Sequence, residues 1–454
     1  MHGLAVKRLV YFGATIVLGL SSALSGVAAS AAAPVTCGGR VATIVGTDAA
    51  DDIVGTQGND VIQAKKGFDT IDGRGGNDLI CGDAGADTIA GGAGADRILA
   101  GTGSYVGDDE GTGTWFGNKV NGGPGDDSLS GGPDHDIDWP DYGSTPDTVS
   151  FPGATGPITV RANGTVTGAG IGTDTLAADF ELIVGTPYAD QMSTVGARSD
   201  LSGLGGNDQL RVQTGLIDIT LAGGDGADLL DGSAATKWMV LQGGSGNDVL
   251  LGSAGADDAN PGLGVDTVDL GNGADSVYGY PALGLSGADS VQTGGGNDTI
   301  QVSTDDGGAQ IDAGAGQDTL ESLSGGGDSR VDATAGTYEV GATVVHFAGI
   351  ERYRLGGDST ANVTFIGSDA PETLRIAPPQ IGDANLLLGG GNDSVQLRFV
   401  FAQSVHVAGG PGNDAIEGSW TNDDLIGGAG DDTIDGSRGD ADHCEAEHVI
   451  NCES

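Results

Sequence analysis

From Gly46 onward the chain repeats itself every nine residues, a constraint tighter than any single residue imposes. The frames read GTDAADDIV, GTQGNDVIQ, AKKGFDTID, GRGGNDLIC, GDAGADTIA and GGAGADRIL without a gap. Their sixth position is Asp51, Asp60, Asp69, Asp78, Asp87 and Asp96, and their eighth is Ile53, Ile62, Ile71, Ile80, Ile89 and Ile98. Composition alone would suggest a disordered chain: 87 of 454 residues are glycine, aromatics are 5%, and the net charge is −46 with only 18 Lys and Arg. Acidic and apolar residues locked in one phase argue for order instead. The sign of the charge excludes a nucleic-acid partner, because a polyphosphate needs the opposite one.

Each position of the frame has a physical reading. Glycines at the first, second and fourth positions permit positive φ and close backbone approach, as in a tight turn with inward carbonyls. The last three residues put one apolar side chain between two outward neighbours, the pattern of a short strand. Two frames then make one coil, with isoleucines facing each other inside. Aspartates one coil apart stack at about 4.8 Å. At that distance two carboxylates repel by about 3 kcal/mol for an effective dielectric near 20, so a cation is required between rungs. Carboxylates and carbonyls are hard oxygen donors with no regular His or Cys, which favours calcium; magnesium, with its stricter octahedron, is the runner-up.

These frames resemble the haemolysin-type, or RTX, calcium-binding repeat G-G-x-G-x-D-x-U-x. The resemblance implies an all-β, right-handed parallel β-roll or β-helix solenoid, each calcium being held by Asp side chains and carbonyls of two successive turns on one side. In the opening block the ions should lie between Asp51 and Asp69, Asp60 and Asp78, Asp69 and Asp87, and Asp78 and Asp96.

Later blocks are less regular. Asp127 sits in a good frame, but the following GGPDHDIDW puts Asp138 where the apolar residue belongs. Asp208, Asp228 and Asp248 are spaced by twenty, which suggests that a strand over Leu216 to Leu221 replaces the second metal turn and leaves calcium chiefly along one edge of a wider helix. Asp257, Asp266 and Asp275 follow, then the pair Asp289 and Asp298, Asp318 alone, and Asp393 ahead of a last run with Asp414, Asp423 and Asp432. The stretches 147–190 and 331–372 lack most frames and read as degenerate spacers. The expected organisation is a signal peptide over 1–33, a cap and first block over 34–100, an aromatic-containing insertion over 101–142, a spacer over 143–200, the main solenoid over 201–435 and a cap over 436–454.

The signal peptide is inferred from Lys7 and Arg8, the apolar stretch Leu9 to Leu24 and the small residues before Ala33. It implies secretion and a mature chain without a membrane span. Four cysteines flank the repeats, Cys37 and Cys81 at one end and Cys444 and Cys452 at the other. Three connectivities are possible. Local pairing is expected because it ties both chain ends to the outer coils, while His443, Cys444, His448 and Cys452 offer a rival metal site. Tyr105, Trp115, Phe116, Trp139 and Tyr142 form a candidate surface for sugar or a partner, against the plainer reading of a loop packed on the solenoid. No nucleophile elbow, zinc-protease helix or phosphate loop is present. The expected function is a secreted, calcium-binding extracellular or surface scaffold, not an enzyme, with calcium as cofactor and a polysaccharide or cell-surface component as partner. The alternative is a calcium-dependent polysaccharide lyase or epimerase.

Overall fold

A computed structural model describes residues 33–107, 113–133, 145–196, 199–215, 218–278, 287–303, 306–322, 327–356, 360–376, 380–437 and 441–452. The expected signal peptide therefore lies outside the described residues, apart from Ala33. The described chain is all-β with no helix, and forms parallel β-solenoid in two compact units that part between Leu204 and Gly205, with about 18 turns in total.

In the first unit the last three residues of each frame form a strand, and alternate frames feed two parallel sheets. One sheet stacks Asp52–Val54, Thr70–Asp72, Thr88–Ala90, Lys119–Asn121, Thr148–Ser150, Leu182–Val184 and Asp200–Gly205. The other stacks Ile44–Val45, Val61–Gln63, Leu79–Ala84, Arg97–Thr102 and Ser128–Ser130. Eighth-position side chains fall in register: Ile53, Ile71, Ile89 and Val120 in the first sheet, Ile62, Ile80, Ile98 and Leu129 in the second, all buried. This ladder is the core, and each buried side chain contributes about 1.5–3 kcal/mol.

The insertion contains a complete coil. Lys119–Asn121 and Ser128–Ser130 continue the two sheets, and only the antiparallel hairpin of Ser104–Gly107 with Gly113–Phe116 leaves the ladder. Tyr105 pairs with Trp115 in that hairpin, and Phe116 sets its ring edge-on to Phe68 at 6.0 Å, a surface contact in keeping with a loop packed on the solenoid. Trp139 and Tyr142 lie outside the described residues. The first spacer is a meander inside the second sheet. Gly172–Leu176 pairs in parallel with Ser128–Ser130, Thr165–Gly168 runs antiparallel, and Ile158–Val160 restores the direction before Gln191–Ser193.

The second unit repeats this plan. One sheet includes Ile219–Asp225, Met239–Ser245 and Asp257–Leu263, and the other Gln209–Arg211, Leu229–Asp231 and Val249–Leu251. Of the strand expected over Leu216 to Leu221, Leu216 and Ile217 lie outside the described residues, and its later part falls in the strand Ile219–Asp225. The second spacer is again a meander, with Thr343–Ala348, Thr337–Val340 and Ser329–Asp332 inserted between Gln310–Asp312 and Val363–Ile366. Parallel pairing runs past the expected end at residue 435, since His443–Glu445 and His448–Ile450 form the last rungs.

Both ends are tied as the local pairing required: Cys37 is bonded to Cys81, and Cys444 to Cys452, so the rival metal site is not formed. At the N-terminus Cys37, Val61, Leu79 and Cys81 make a small cluster outside the solenoid core. The frames VIQ and LIC carry apolar residues at outward positions because the end hairpin, Thr36–Cys37 with Arg40–Val41, covers them.

Candidate metal centre

The sixth-position carboxylates form columns along the edges of the sheets, and within a column each one after the first reaches back to the coil before it. The N–H of Asp51 donates to Asp69 Oδ1 at 2.8 Å, Asp69 to Asp87 at 2.9 Å, Asp60 to Asp78 at 2.8 Å, Asp78 to Asp96 at 2.8 Å and Asp96 to Asp127 at 2.8 Å. In the second unit the N–H groups of Asp208, Asp228, Asp248 and Asp266 donate to Asp228, Asp248, Asp266 and Asp289. Asp257, Asp275 and Asp298 donate to Asp275, Asp298 and Asp318 on the other edge. Asp393, Asp414 and Asp432 continue there, and Asp423 bonds Asp442. Every pairing of the opening block inferred from the period is present as a contact between successive coils.

Several expectations need correction. Asp318 is not alone, because it continues the column from Asp257. The metal-type turns do not keep to one edge. Ile219 and Met239 occupy the register position of Asp257, so that edge lacks carboxylates at first; it acquires them from Asp257 onward, and the opposite column reaches Asp289. On the edge opposite each meander the column is not interrupted, since glutamate continues it. Glu181 accepts from the N–H of Asp147 at 2.6 Å and Glu351 from Asp318 at 2.9 Å, while Glu372 donates to Asp393. Asp147, Asp174, Asp190, Asp442 and Glu447 also belong to these ladders. Except for Asp174, which lies within Gly172–Leu176, their sequence signal was an acidic residue directly before a strand, which the nine-residue period alone does not pick out.

A second ladder was also missed. The N–H of Asn77 donates to Asn59 Oδ1 at 2.8 Å, and that of Ala95 to Asn77 at 3.0 Å. Asn207, Asn247, Asn297, Asn392 and Asn413 act in the same way. The recurring Asn-Asp pair was its trace.

One carboxylate oxygen of each pair is spent on the neighbouring coil, and the other is the informative one. Oδ2 of Asp69, Asp78, Asp87, Asp96 and Asp127 is buried and has no hydrogen-bond donor. The same holds for Asp228, Asp248, Asp266, Asp275, Asp298, Asp318, Asp393, Asp414 and Asp432. A buried ion without a partner is costly. Burial accordingly pushes the carboxyls of Asp69 and Asp78 up to about 6 and those of Asp87, Asp127, Asp266, Asp275 and Asp393 up to about 7. The space around each such oxygen is bounded by backbone carbonyls. A Cβ added at Gly73 would meet the Gly91 carbonyl oxygen at 2.3 Å and Asp78 Oδ2 at 2.7 Å, so glycine is needed there to leave the cradle open.

Asn118 reveals what surrounds that spot. It stands in the column where aspartate is expected, accepting from Asp87 N–H at 2.9 Å, and its Nδ2 donates to the carbonyls of Gly101 and Gly131 at 2.9 and 3.1 Å. An amide supplies its own hydrogens to those carbonyls; a carboxylate needs a cation. The oxygen-only donor set fits calcium. Among the described residues no three His, Cys, Asp or Glu side chains converge, so an ion here would be held by few carboxylates and several carbonyls.

The family model of the RTX calcium-binding nonapeptide repeat, four copies long, matches residues 45–80, 54–89, 82–106, 112–137, 220–235, 240–268, 283–320 and 408–440. No curated protein matches the chain. The matched blocks contain the columns of Asp69, Asp78, Asp228, Asp298 and Asp414, and calcium is the ion such repeats bind. RTX calcium-binding nonapeptide repeats are thus carried in several copies along this chain, which folds as a parallel β-solenoid.

Proposed function

We propose that the protein is a secreted scaffold or adhesion protein whose solenoid folds when it meets extracellular calcium. The observation that carries this reading is the file of buried carboxylate oxygens without donors. Such a file cannot remain ionised in a dry turn, so calcium must enter as the coil closes, and ligand binding to the folded state alone then favours folding by mass action. Pairing of all four cysteines supports an oxidising compartment. No helix among the described residues is long and apolar enough to cross a membrane. A polysaccharide or cell-surface partner is the ligand class proposed. One surface that supports it holds Phe399 and Phe401, each edge-on to Trp420 at 5.4 and 5.0 Å, with both phenylalanines exposed.

The test is far-UV circular dichroism of the mature chain in chelator and after addition of calcium at about millimolar levels, the range of extracellular modules. Disorder should give way to β signal, with magnesium a poor substitute. Full β content in chelator would reject calcium-driven folding. A panel of uronate polymers addresses the enzymatic alternative, which calcium-dependent cleavage or epimerisation would establish over the scaffold reading.

A further inference from the structure

The aspartates at position six are not one chemical class. In five turns the residue four places earlier is Ser or Thr, and it satisfies the carboxylate from within the turn. The N–H of Thr47 donates to Asp51 Oδ2 at 2.5 Å, Thr56 to Asp60 at 2.7 Å, Thr186 to Asp190 at 2.6 Å, Ser253 to Asp257 at 2.6 Å and Ser419 to Asp423 at 2.7 Å. Each hydroxyl adds a bond to the same carboxylate, at 2.7–3.0 Å. None of these five has an orphaned Oδ2.

The backbone at position two separates the classes. In open turns it takes positive φ, +68° at Arg74 and +102° at Gly92, which turns its N–H away from the carboxylate; Gly92 N–H donates instead to the Gly122 carbonyl of the next coil. Thr47, Thr56, Thr186, Ser253 and Ser419 are absent from the left-handed region, so their N–H points inward. The capped turns also have a common place. Asp51 and Asp60 open the first coil, Asp257 follows Met239 in register, Asp423 follows Val405, and Asp190 accepts from Ile158 N–H. Each begins a column where the coil before it has no acidic turn.

We infer that Asp51, Asp60, Asp190, Asp257 and Asp423 are ion-independent caps that start the columns, and that calcium is taken only by turns whose second residue is left-handed. The inference rests on the calcium-binding reading and divides its sites. The Oδ2 of a capped carboxylate already has donors from its own turn, and an ion taking that oxygen would have to displace them.

The experiment counts calcium per chain by atomic emission on the full mature protein, equilibrated with calcium and freed of excess. Asp51→Asn and Asp60→Asn should retain the wild-type count, and Asp257→Asn tests the same in the second unit. Arg74→Thr places a cap beside Asp78 and should lose one ion. Loss of an ion in any of the three Asn variants, or an unchanged count in Arg74→Thr, overturns the inference. Asp69→Asn is the control for the reading beneath it: one ion fewer upholds calcium at open turns, and no change rejects that reading itself.

Discussion

At position two a single dihedral angle decides whether a turn answers its own carboxylate. Glycine holds the left-handed conformation without steric cost, yet Lys65, Arg74, Asp83 and Leu204 hold it too. An L-residue there costs about 1–2 kcal/mol. Arg74 is exposed, so Arg74→Gly should raise the stability of the calcium-loaded protein by about 1 kcal/mol, the larger unfolded-state entropy of glycine offsetting the rest. Denaturant unfolding in saturating calcium measures it, and a destabilised variant would mean that the arginine makes contacts its exposure does not suggest. The aspartates and isoleucines were legible because a period marks them. The division between Thr56 and Arg74 was not, since threonine and arginine both stand where the motif has glycine and only the backbone angle tells them apart. Glu181 and Glu351 escaped for a related reason: a longer acid in an aperiodic segment can still reach back one coil.

Among the elements, the three-residue strands followed from the frame, whereas the two meanders did not. Thr165–Gly168 and Thr337–Val340 run against their sheet, and alternation of apolar residues carries no sign of strand direction. The spacers therefore looked like eroded repeats when they are extra rungs. The N-terminal hairpin was legible only in part, through Cys37 and the apolar outward residues Val61 and Leu79. Its disulfide closes a loop of 44 residues, which should stabilise the first coils by about 2–4 kcal/mol. Replacing Cys37 and Cys81 together by serine should speed amide exchange in Val61–Gln63 and Leu79–Ala84 while leaving Ser394–Gln396 unchanged. Uniform acceleration along the chain would instead mean that the bond supports the whole molecule and not its first coils.

For the whole molecule, the columns make calcium-free stability depend on pH in a defined direction. Burial is the first cause of the raised carboxyls, with like charges in neighbouring coils adding to it, so Asp69 titrates near 6 and Asp87 near 7 instead of at 3.8. Between those limits the folded chain retains protons that the unfolded chain has released. Stability in chelator should therefore fall as pH rises from about 4 to about 7, with no such slope below the unfolded value. Chelated protein should show more β signal at pH 5 than at pH 8, and saturating calcium should remove the difference. Equal signal at both pH values in chelator would show that burying these carboxyls carries no ionisation cost.

The backward reach of each carboxylate gives every column an order of laying, like courses of roof tiles. Asp78 fastens Asp60, Asp96 fastens Asp78 and Asp127 fastens Asp96, so each course is pinned only when the one after it is down. Growth from the N-terminus leaves a single loose edge, always the newest. The course of Asp432 is fastened in the same way by Glu447, which leads the last rung, His448–Ile450. Shortened anywhere along its length, such a roof would lose no more than the grip on its last row.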